Sequence, residues 1–490
     1  MKKDFLVMTL ASAAFLGLRG SGETGDPGDA INLGNRRELF VDRFLIDRMK
    51  GVELQAHPPR PAGMALEFDK PWEGALSGYV TVLQDGGKRR MYYRGCPLTG
   101  AAGATKEGKA VTCYAESSDG VHWVKPNLGL YEIHGARDNN VVLADAGPPT
   151  HNFCPFIDAR PGVPASERYK AVGGLSESGL IAFVSADGRK WTKLREEAIL
   201  MKGAFDTQNV VFWSKNEDCY VCFFRTWKNG VRWIARATSK DFLNWTEGVD
   251  MSFGDAPPEH LYTNQTNPYF RAPHIYVGIA ARFWPDRQAL TEEQVRSLDL
   301  EGPGNYGGLK SGCSDAVLLT SRGGDKYDRT FPESLIRPGT SLRNWVARSN
   351  YPALGLVQTS PEELSCYVQR HYGQPSAHLD RLVFRLDGIA SVRAPYSGGE
   401  MVTKPFTFQG KELEINFSTS APGSVRVEIQ DAQGKPVPGY TLDDCPEIIG
   451  DEIARVVSWA KGSDVGELAG KPVRLRFVMK DADLFSMRFR

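Results

Sequence analysis

Three carboxylates stand shortly before runs of β-forming residues: Glu73 before 79–83, Asp206 before 210–213 and Glu259 before 267–270. Hydrolysis of a glycosidic bond needs a carboxylic acid that protonates the leaving oxygen and a carboxylate that attacks or activates water. The sequence therefore offers the residues for that chemistry. Glu259 would be the general acid, Asp206 or Glu73 the base or nucleophile, and the third carboxylate would orient the substrate.

Aromatic, amide, histidine and arginine side chains cluster at the same places in the chain. A sugar presents apolar ring faces and many hydroxyl groups, so this mixture suits carbohydrate, and an arginine can hold an acidic group or tune a carboxylate. The candidate substrate-binding residues are Trp72, Tyr79, His151, Asn152, Gln208, Asn209, His260, Tyr262, Asn264, Trp345, Arg348 and Asn350. The alternative interpretation is a solvated loop for Glu73 and an Asx-turn for Asp206.

A repeated phrase indicates which elements position these residues. Ser117-Ser118-Asp119-Gly120-Val121-His122-Trp123 returns as Ser185-Ala186-Asp187-Gly188-Arg189-Lys190-Trp191 and, more loosely, at 238–245, with weaker copies at 320–327 and 386–388. Each copy ends a β-rich run with a turn, and two further β-rich runs precede it. Repetition at this spacing predicts one supersecondary unit used five times. The acids within the turns are predicted to be structural.

The repeat predicts an all-β protein: a five-bladed β-propeller of four-stranded blades over 31–395, followed by a β-sandwich over 396–490. Alternating apolar residues within 413–417, 425–429 and 473–479 indicate the strands of the sandwich. Inner strands of a propeller line its axis, so the polar residues that precede them should converge on one pocket. Residues 284–313 form an insertion in blade four, with a capping box at Thr291 that predicts a short helix.

Composition excludes several classes of protein. The chain has 490 residues and a formal net charge of zero, which disfavours nucleic acid and anionic membrane as partners. Residues 1–30 begin with two lysines and a short apolar stretch, which predicts a signal peptide, a flexible N-terminus and export to the periplasm or the extracellular space. No stretch is long enough to span a membrane. The eight cysteines are interpreted as buried small residues rather than metal ligands.

The blades, the carboxylates and the sandwich together resemble the five-bladed propeller glycosidases. These include the invertases and fructanases of glycoside hydrolase family 32 and the arabinanases and xylosidases of family 43. The closing segment 472–486 is similar to the end of the family 32 sandwich, and the repeated turns resemble the Asp-boxes of sialidases. The Asn-Asp-Pro, Arg-Asp-Pro and Glu-Cys motifs of family 32 do not stand at matching places.

The resemblance implies an exported glycoside hydrolase that degrades a plant or algal poly- or oligosaccharide in the axial pocket. The alternative is a non-catalytic carbohydrate-binding propeller, in which the carboxylates would be dispersed rather than about 5 to 10 Å apart. No cofactor and no catalytic metal are expected. A structural calcium ion at the axis is left open, with His151 and His260 placed to contact substrate or such an ion.

Overall fold

The computed structural model describes residues 30–99 and 106–490. The predicted signal peptide lies outside the described residues. Within them, five sheets have the pairing expected of propeller blades, which confirms the predicted five-bladed propeller. In each blade the strands pair antiparallel with their neighbours. The inner strands, which contact one another around the axis, are Gly78–Asp85, Cys154–Ile157, Val210–Ser214, Thr266–Tyr269 and Val357–Gln358.

The strands of the blades are as follows. Blade one contains Gly78–Asp85, Lys88–Gly95, Val111–Ser117 and Val141–Leu143; blade two contains Cys154–Ile157, Tyr169–Gly173, Ile181–Ser185 and Thr192–Lys193; blade three contains Val210–Ser214, Cys219–Lys228, Val231–Ser239 and Val249–Asp250. Blade four contains His260–Thr263, Thr266–Tyr269, Ala272–Trp284, Cys313–Ser321 and Ser334–Ile336; blade five contains Val357–Gln358, Glu363–Arg370, His378–Arg385 and Arg60–Glu67.

The outer strand of blade five comes from the beginning of the described chain. Arg60–Glu67 pairs antiparallel with His378–Arg385, so the ring is closed by two segments that are far apart in sequence. The repeat predicted this strand after the turn at 386–388 instead. Ala390–Ala394, which follows that turn, pairs with Glu53–Ala56 and with the last strand of the chain. A local repeat cannot reveal such a closure, because its two partners share no continuous pattern.

The C-terminal sheet has ten strands, which confirms the β-rich sandwich region and adds N-terminal strands to it. They are Ile31–Gly34, Glu38–Leu39, Ile46–Lys50, Glu53–Ala56, Ala390–Ala394, Gly399–Thr403, Phe406–Phe408, Leu413–Asp431, Asp451–Val456 and Val473–Phe489. The prediction assigned residues 31–56 to the propeller, with its boundary at residue 31. Strand pairing instead places these residues in the C-terminal sheet. Alternate residues of the two longest strands, such as Val427 and Phe477, are fully buried in its core.

Short elements complete the described structure. The helices are Pro149–Asn152 and Glu292–Ser297, the 3-10 turns are Ala165–Glu167, Leu342–Asn344 and Gly466–Leu468, and a two-stranded ribbon pairs Leu98–Thr99 with Lys106–Glu107. The predicted capping box is confirmed: the Thr291 hydroxyl accepts from the Gln294 amide, and the Gln294 side chain accepts from the Thr291 amide. No helix in the described ranges has the length and apolar character that a membrane crossing requires.

The repeated turns are held by one set of hydrogen bonds. In the first copy, Ser117 Oγ accepts from the Gly120 amide at 2.8 Å, and Asp119 Oδ1 accepts from the next two amides at 2.8 and 2.9 Å. The copies at Asp187 and Asp241 repeat the pattern. These acids are therefore occupied by their own backbone, as the sequence predicted for the turns.

Candidate functional site

Side chains from all five blades meet where the inner strands begin, and we call this cluster the axial pocket. Its residues are Tyr79, Arg94, His151, Asp206, Arg225, Arg232, Tyr262, Arg348, Tyr351 and Tyr372. Contacts join them around the axis: the Tyr79 ring lies 5.6 Å from the His151 ring, and the Tyr262 ring lies 4.9 Å from the Tyr351 ring. Arg94 donates to the Tyr372 hydroxyl at 3.1 Å, which links blade one to blade five.

Asp206 is the carboxylate of this cluster. Its Oδ1 lies 3.1 Å from His151 Nε2, and its Oδ2 lies 3.6 Å from Arg225 Nη2, while 55% of the side chain remains exposed. Burial alone would raise the pKa of Asp206, but the hydrogen bond with His151 and the charges of Arg225 and Arg94 hold it below the usual value. Asp206 is therefore an accessible, ionised carboxylate that is bonded to an imidazole.

Two buried asparagines hold the backbone on either side of Asp206. Asn152 Nδ2 donates to the carbonyls of Phe205 at 2.6 Å and Thr207 at 2.7 Å, and Asn209 Nδ2 donates to the same two carbonyls at 3.0 and 3.1 Å. The Thr207 hydroxyl also donates to the Tyr262 carbonyl at 2.7 Å. Asn152 and Asn209 were predicted to bind substrate, but both are fully buried and position the Asp206 segment instead.

Arginines surround the carboxylate. The Arg94 guanidinium lies within 3.2 Å of both His151 ring nitrogens and 4.8 Å from the centre of the Tyr79 ring. Arg225 and Arg232 both lie over the Tyr262 ring, at 5.1 and 5.2 Å from its centre. Contacts of this type are attractive because the face of an aromatic ring is electronegative. The pocket thus combines aromatic surfaces with positive charge.

Two bulky residues of the axial pocket have left-handed backbone. Tyr79 has φ of 49° and Arg348 has φ of 64°, a conformation that costs a residue other than glycine about 1 to 3 kcal/mol. Burial raises the pKa of Tyr79, and the nearby Tyr262 and Asp206 raise it further. The phenol therefore stays protonated at neutral pH. Strain of this kind concentrates at functional sites, where the surrounding structure fixes the side chains.

Buried glutamines form a floor under the pocket. Gln265 Nε2 donates to Gln208 Oε1 at 2.7 Å, Gln208 donates to Thr81 Oγ1 at 2.7 Å, and Gln369 donates to the Ser77 carbonyl. Gln208 was predicted to contact substrate, but it is fully buried in this network. Its amide ties blade three to blade four and, across the axis, to blade one below the pocket.

The structure does not bring the three predicted carboxylates together. Glu73 is 1% exposed and accepts from the Tyr93 hydroxyl and from Lys125 Nζ, each at 2.6 Å. Glu259 accepts from Arg282 and Arg329, each at 2.8 Å. Neither set of partners includes a residue that contacts Asp206. Glu73 and Glu259 therefore correct the predicted site: each is held in ion pairs with cationic side chains away from Asp206.

The remaining predicted contacts divide between core, turn and pocket edge. Trp72 donates to Asn140 Oδ1, Asn264 Oδ1 accepts from the Thr266 amide, and Asn350 donates to the Ser314 and Asn344 carbonyls. All three are at least nine-tenths buried and are structural. Trp345 donates to the Gly339 carbonyl beside a separate surface cavity.

The predicted residues that do reach the axial pocket are Tyr79, His151, Asp206, Tyr262 and Arg348. His260 lies at its edge, where its Nδ1 accepts from the Arg232 amide at 3.2 Å. The insertion also reaches the edge, because the Arg348 guanidinium lies 5.5 Å from the Tyr306 ring. The predicted overhanging insertion thus contributes an aromatic wall beside Arg348.

Sequence reasoning missed Arg94, Arg225, Arg232, Tyr351 and Tyr372. A signal for the first two was present: an arginine follows the apolar run of the second strand in four of the five blades. These arginines are Arg94, Arg225, Arg282 and Arg370. Inner strands line the axis, but side chains at the ends of second strands also reach the mouth of the pocket.

A metal site would need several His, Cys, Asp or Glu side chains close together. No group of three or more His, Cys, Asp or Glu side chains that could hold a metal ion occurs in the described part of the chain. His151 contacts Asp206, and His260 contacts Arg232. The eight cysteines are all buried, in agreement with their interpretation as small core residues.

Comparison with known proteins gives structural likeness only. No protein-family model and no curated protein sequence matches the chain. Similar solved structures include a glycoside hydrolase with 14% identity and a TM-score of 0.44, which covers 67% of this chain and 92% of its own. An N-acetylgalactosamine deacetylase from F. plautii, in complex with blood group B trisaccharide, has 12% identity and a TM-score of 0.43, covering 68% and 97%. A putative glycoside hydrolase from Parabacteroides distasonis has 14% identity and a TM-score of 0.36, covering 68% and 96%.

Proposed function

We propose that the protein is a glycoside hydrolase that cleaves a glycosidic bond in the axial pocket, with Asp206 and His151 as one acid/base unit. The observation that carries the proposal is the 3.1 Å contact between an accessible, ionised carboxylate and an imidazole at the meeting point of five blades. A carboxylate that is bonded to an imidazole orients it and stabilises its protonated form. His151 can then give a proton to the leaving oxygen or take one from the attacking water.

Aromatic and cationic side chains support a carbohydrate substrate. Tyr79 and Tyr372, which are partly exposed, offer aromatic surface for the apolar faces of a sugar, and the arginines offer hydrogen-bond donors for its hydroxyl groups. We also propose export of the protein and a plant or algal poly- or oligosaccharide as its substrate. These two points rest on the charged and apolar N-terminal pattern and on the resemblance described above.

The experiment is a comparison of two aspartate substitutions on a panel of polysaccharides and oligosaccharides. Asp206→Asn preserves the size of the side chain but removes the charge, and we expect turnover to fall by at least about 100-fold, as for a lost acid/base group. Asp187→Asn is the matched control, because that acid belongs to a turn. Wild-type turnover by the Asp206 variant would place the reaction elsewhere.

A non-catalytic carbohydrate-binding protein is the second candidate. The observation that favours it is the separation of Glu73 and Glu259 from Asp206, which leaves the axial pocket with one of the three predicted carboxylates. Hydrolysis by two carboxylates needs both at the scissile bond. Glycan binding at the pocket without turnover on any member of the panel would support this candidate.

A further inference from the structure

The axial pocket holds more positive than negative charge. Arg94, Arg225, Arg232 and Arg348 belong to it, and Asp206 is its carboxylate, with Arg225 as the arginine that forms an ion pair with it at 3.6 Å. In the described ranges, no carboxylate forms an ion pair with Arg232 or Arg348; their cation contacts are with aromatic rings. Partly buried like charges repel one another, so an excess of this size favours an anionic occupant.

Two guanidinium groups of the pocket also have unused donors. Arg225 Nη1 and Arg232 Nε are buried and have no hydrogen-bond partner among the described residues, and the Arg225 side chain is only 6% exposed. A buried donor without an acceptor costs about 1 to 3 kcal/mol, so most such groups in proteins are paired. Arg225 Nη2 lies 3.6 Å from Asp206 Oδ2, so the guanidinium that carries this unused donor belongs to the axial pocket.

Arginines at equivalent places in the other blades are fully engaged. Arg282 contacts both Asp315 and Glu259, at 2.6 and 2.8 Å, and Arg370 contacts Asp380 at 3.2 Å. Blades four and five thus supply acids that neutralise these two arginines, whereas no carboxylate among the described residues forms an ion pair with Arg232 or Arg348. The difference separates structural arginines from arginines that are available to a ligand.

We propose that the axial pocket takes a sugar that carries an anionic group, a carboxylate or a sulfate ester, bound by Arg225, Arg232 and Arg348. The proposal deepens the proposed function and rests on it for the identity of the ligand as a sugar. Guanidinium groups bind oxyanions through two parallel hydrogen bonds. The buried Tyr262 ring packs against Arg225 and Arg232 and holds them in place, while the partly exposed Tyr79 and Tyr372 offer aromatic surface for the sugar ring.

Binding measurements by calorimetry test the proposal on the full protein. The probes are galacturonate and glucuronate oligosaccharides, a sulfated galactose oligosaccharide and their neutral counterparts. We expect at least one acidic series to bind about 10-fold or more tightly than its neutral counterpart, which matches the range for a charge-assisted hydrogen bond. The preference should weaken as salt is raised. Preference for uronates identifies a carboxylate, and preference for the sulfated sugar identifies a sulfate ester.

Two variants remove charge with little risk to folding. Arg348→Asn suits the left-handed backbone at this position, because asparagine tolerates that conformation. Arg232→Gln removes a guanidinium that has no carboxylate partner. Each should weaken acidic-sugar binding about 10-fold or more and neutral-sugar binding by clearly less, with thermal stability retained. Arg189→Gln is the charge control, since that arginine pairs with Glu116 outside the pocket.

The outcomes separate this proposal from the proposed function. Equal affinity for acidic and neutral sugars, or equal loss of both in the arginine variants, overturns the anion site even if the protein hydrolyses neutral glycans. Selective binding of an acidic sugar that is never cleaved supports the anion site and contradicts the hydrolase. Absence of binding by every probe, together with absence of turnover, contradicts both.

Discussion

Substitution of Asn152 should damage catalysis through the position of Asp206. Asn152 is fully buried, and besides its two bonds to the Asp206 segment it donates to the Gly174 carbonyl at 2.8 Å and accepts from the Gly174 amide at 2.9 Å. Asn152→Ala leaves these two backbone groups without that partner, at about 1 to 3 kcal/mol each. We expect the free energy of unfolding to fall by about 3 kcal/mol, with Asn209 still holding the segment in part.

The assay combines denaturant unfolding with steady-state kinetics. In the folded fraction, kcat should fall about 10-fold or more, because small displacements of a catalytic group are costly. Asn139→Ala is the matched control: that asparagine is also buried, donates to the Tyr131 and Ala136 carbonyls and lies in blade one. It should lose comparable stability and keep kcat.

A double-mutant cycle shows whether the effect passes through the carboxylate. In the Asp206→Asn background, Asn152→Ala should lower kcat no further, since coupled residues are not additive. If Asn152→Ala behaved like Asn139→Ala, with lower stability and an unchanged kcat, the positioning role would be refuted.

Three further predictions concern ion pairs and backbone. Glu259→Gln should lower the unfolding free energy by about 3 kcal/mol, because Arg329 loses its carboxylate partner and Arg282 keeps only Asp315, while kcat of the folded protein stays within about twofold. A large loss of kcat would restore Glu259 to the catalytic role. Burial alone would raise the pKa of Glu38, but His274 and Arg322 lower it from 4.5 to about 2. The ionised Glu38 side chain contributes about 3 kcal/mol to the free energy of unfolding above pH 4.5, and this contribution is lost as the pH falls towards 2. Between those pH values the Glu38→Gln variant should therefore lose less stability than the wild-type protein. Gly188→Ala should lower the melting temperature more than Gly86→Ala. Both glycines have positive φ, but only at position 188 would the new methyl group lie 2.6 Å from the Tyr92 hydroxyl. Equal shifts in melting temperature would contradict that clash.

The blade architecture could be predicted because its signal is local and repeated. The Ser-x-Asp turn specifies its own hydrogen bonds within four residues, so each copy marks the end of a third strand. The closure of blade five could not be predicted in this way. Arg60–Glu67 pairs with His378–Arg385, more than three hundred residues away in the chain. Neither segment has a sequence feature from which the other could be identified as its partner.

The candidate site was predictable only in part, for a related reason. Asp206, His151 and Tyr79 stand at the mouths of inner strands, so topology alone brings them together. Glu73 stands at a similar place, but its role is decided by Lys125, which reaches it from a distant turn. Burial and ion pairing separate a structural carboxylate from an available one, and both depend on tertiary contacts that the order of residues does not display.

The most direct test of the central claim is a crystal structure of Asp206→Asn soaked with an acidic oligosaccharide that the wild-type protein binds. We predict a sugar in the axial pocket, with its ring against Tyr79 or Tyr372, its anionic group within hydrogen-bond distance of Arg225 or Arg232, and the scissile linkage beside His151. A sugar that is bound elsewhere, with the axial pocket occupied by solvent alone, would contradict the account.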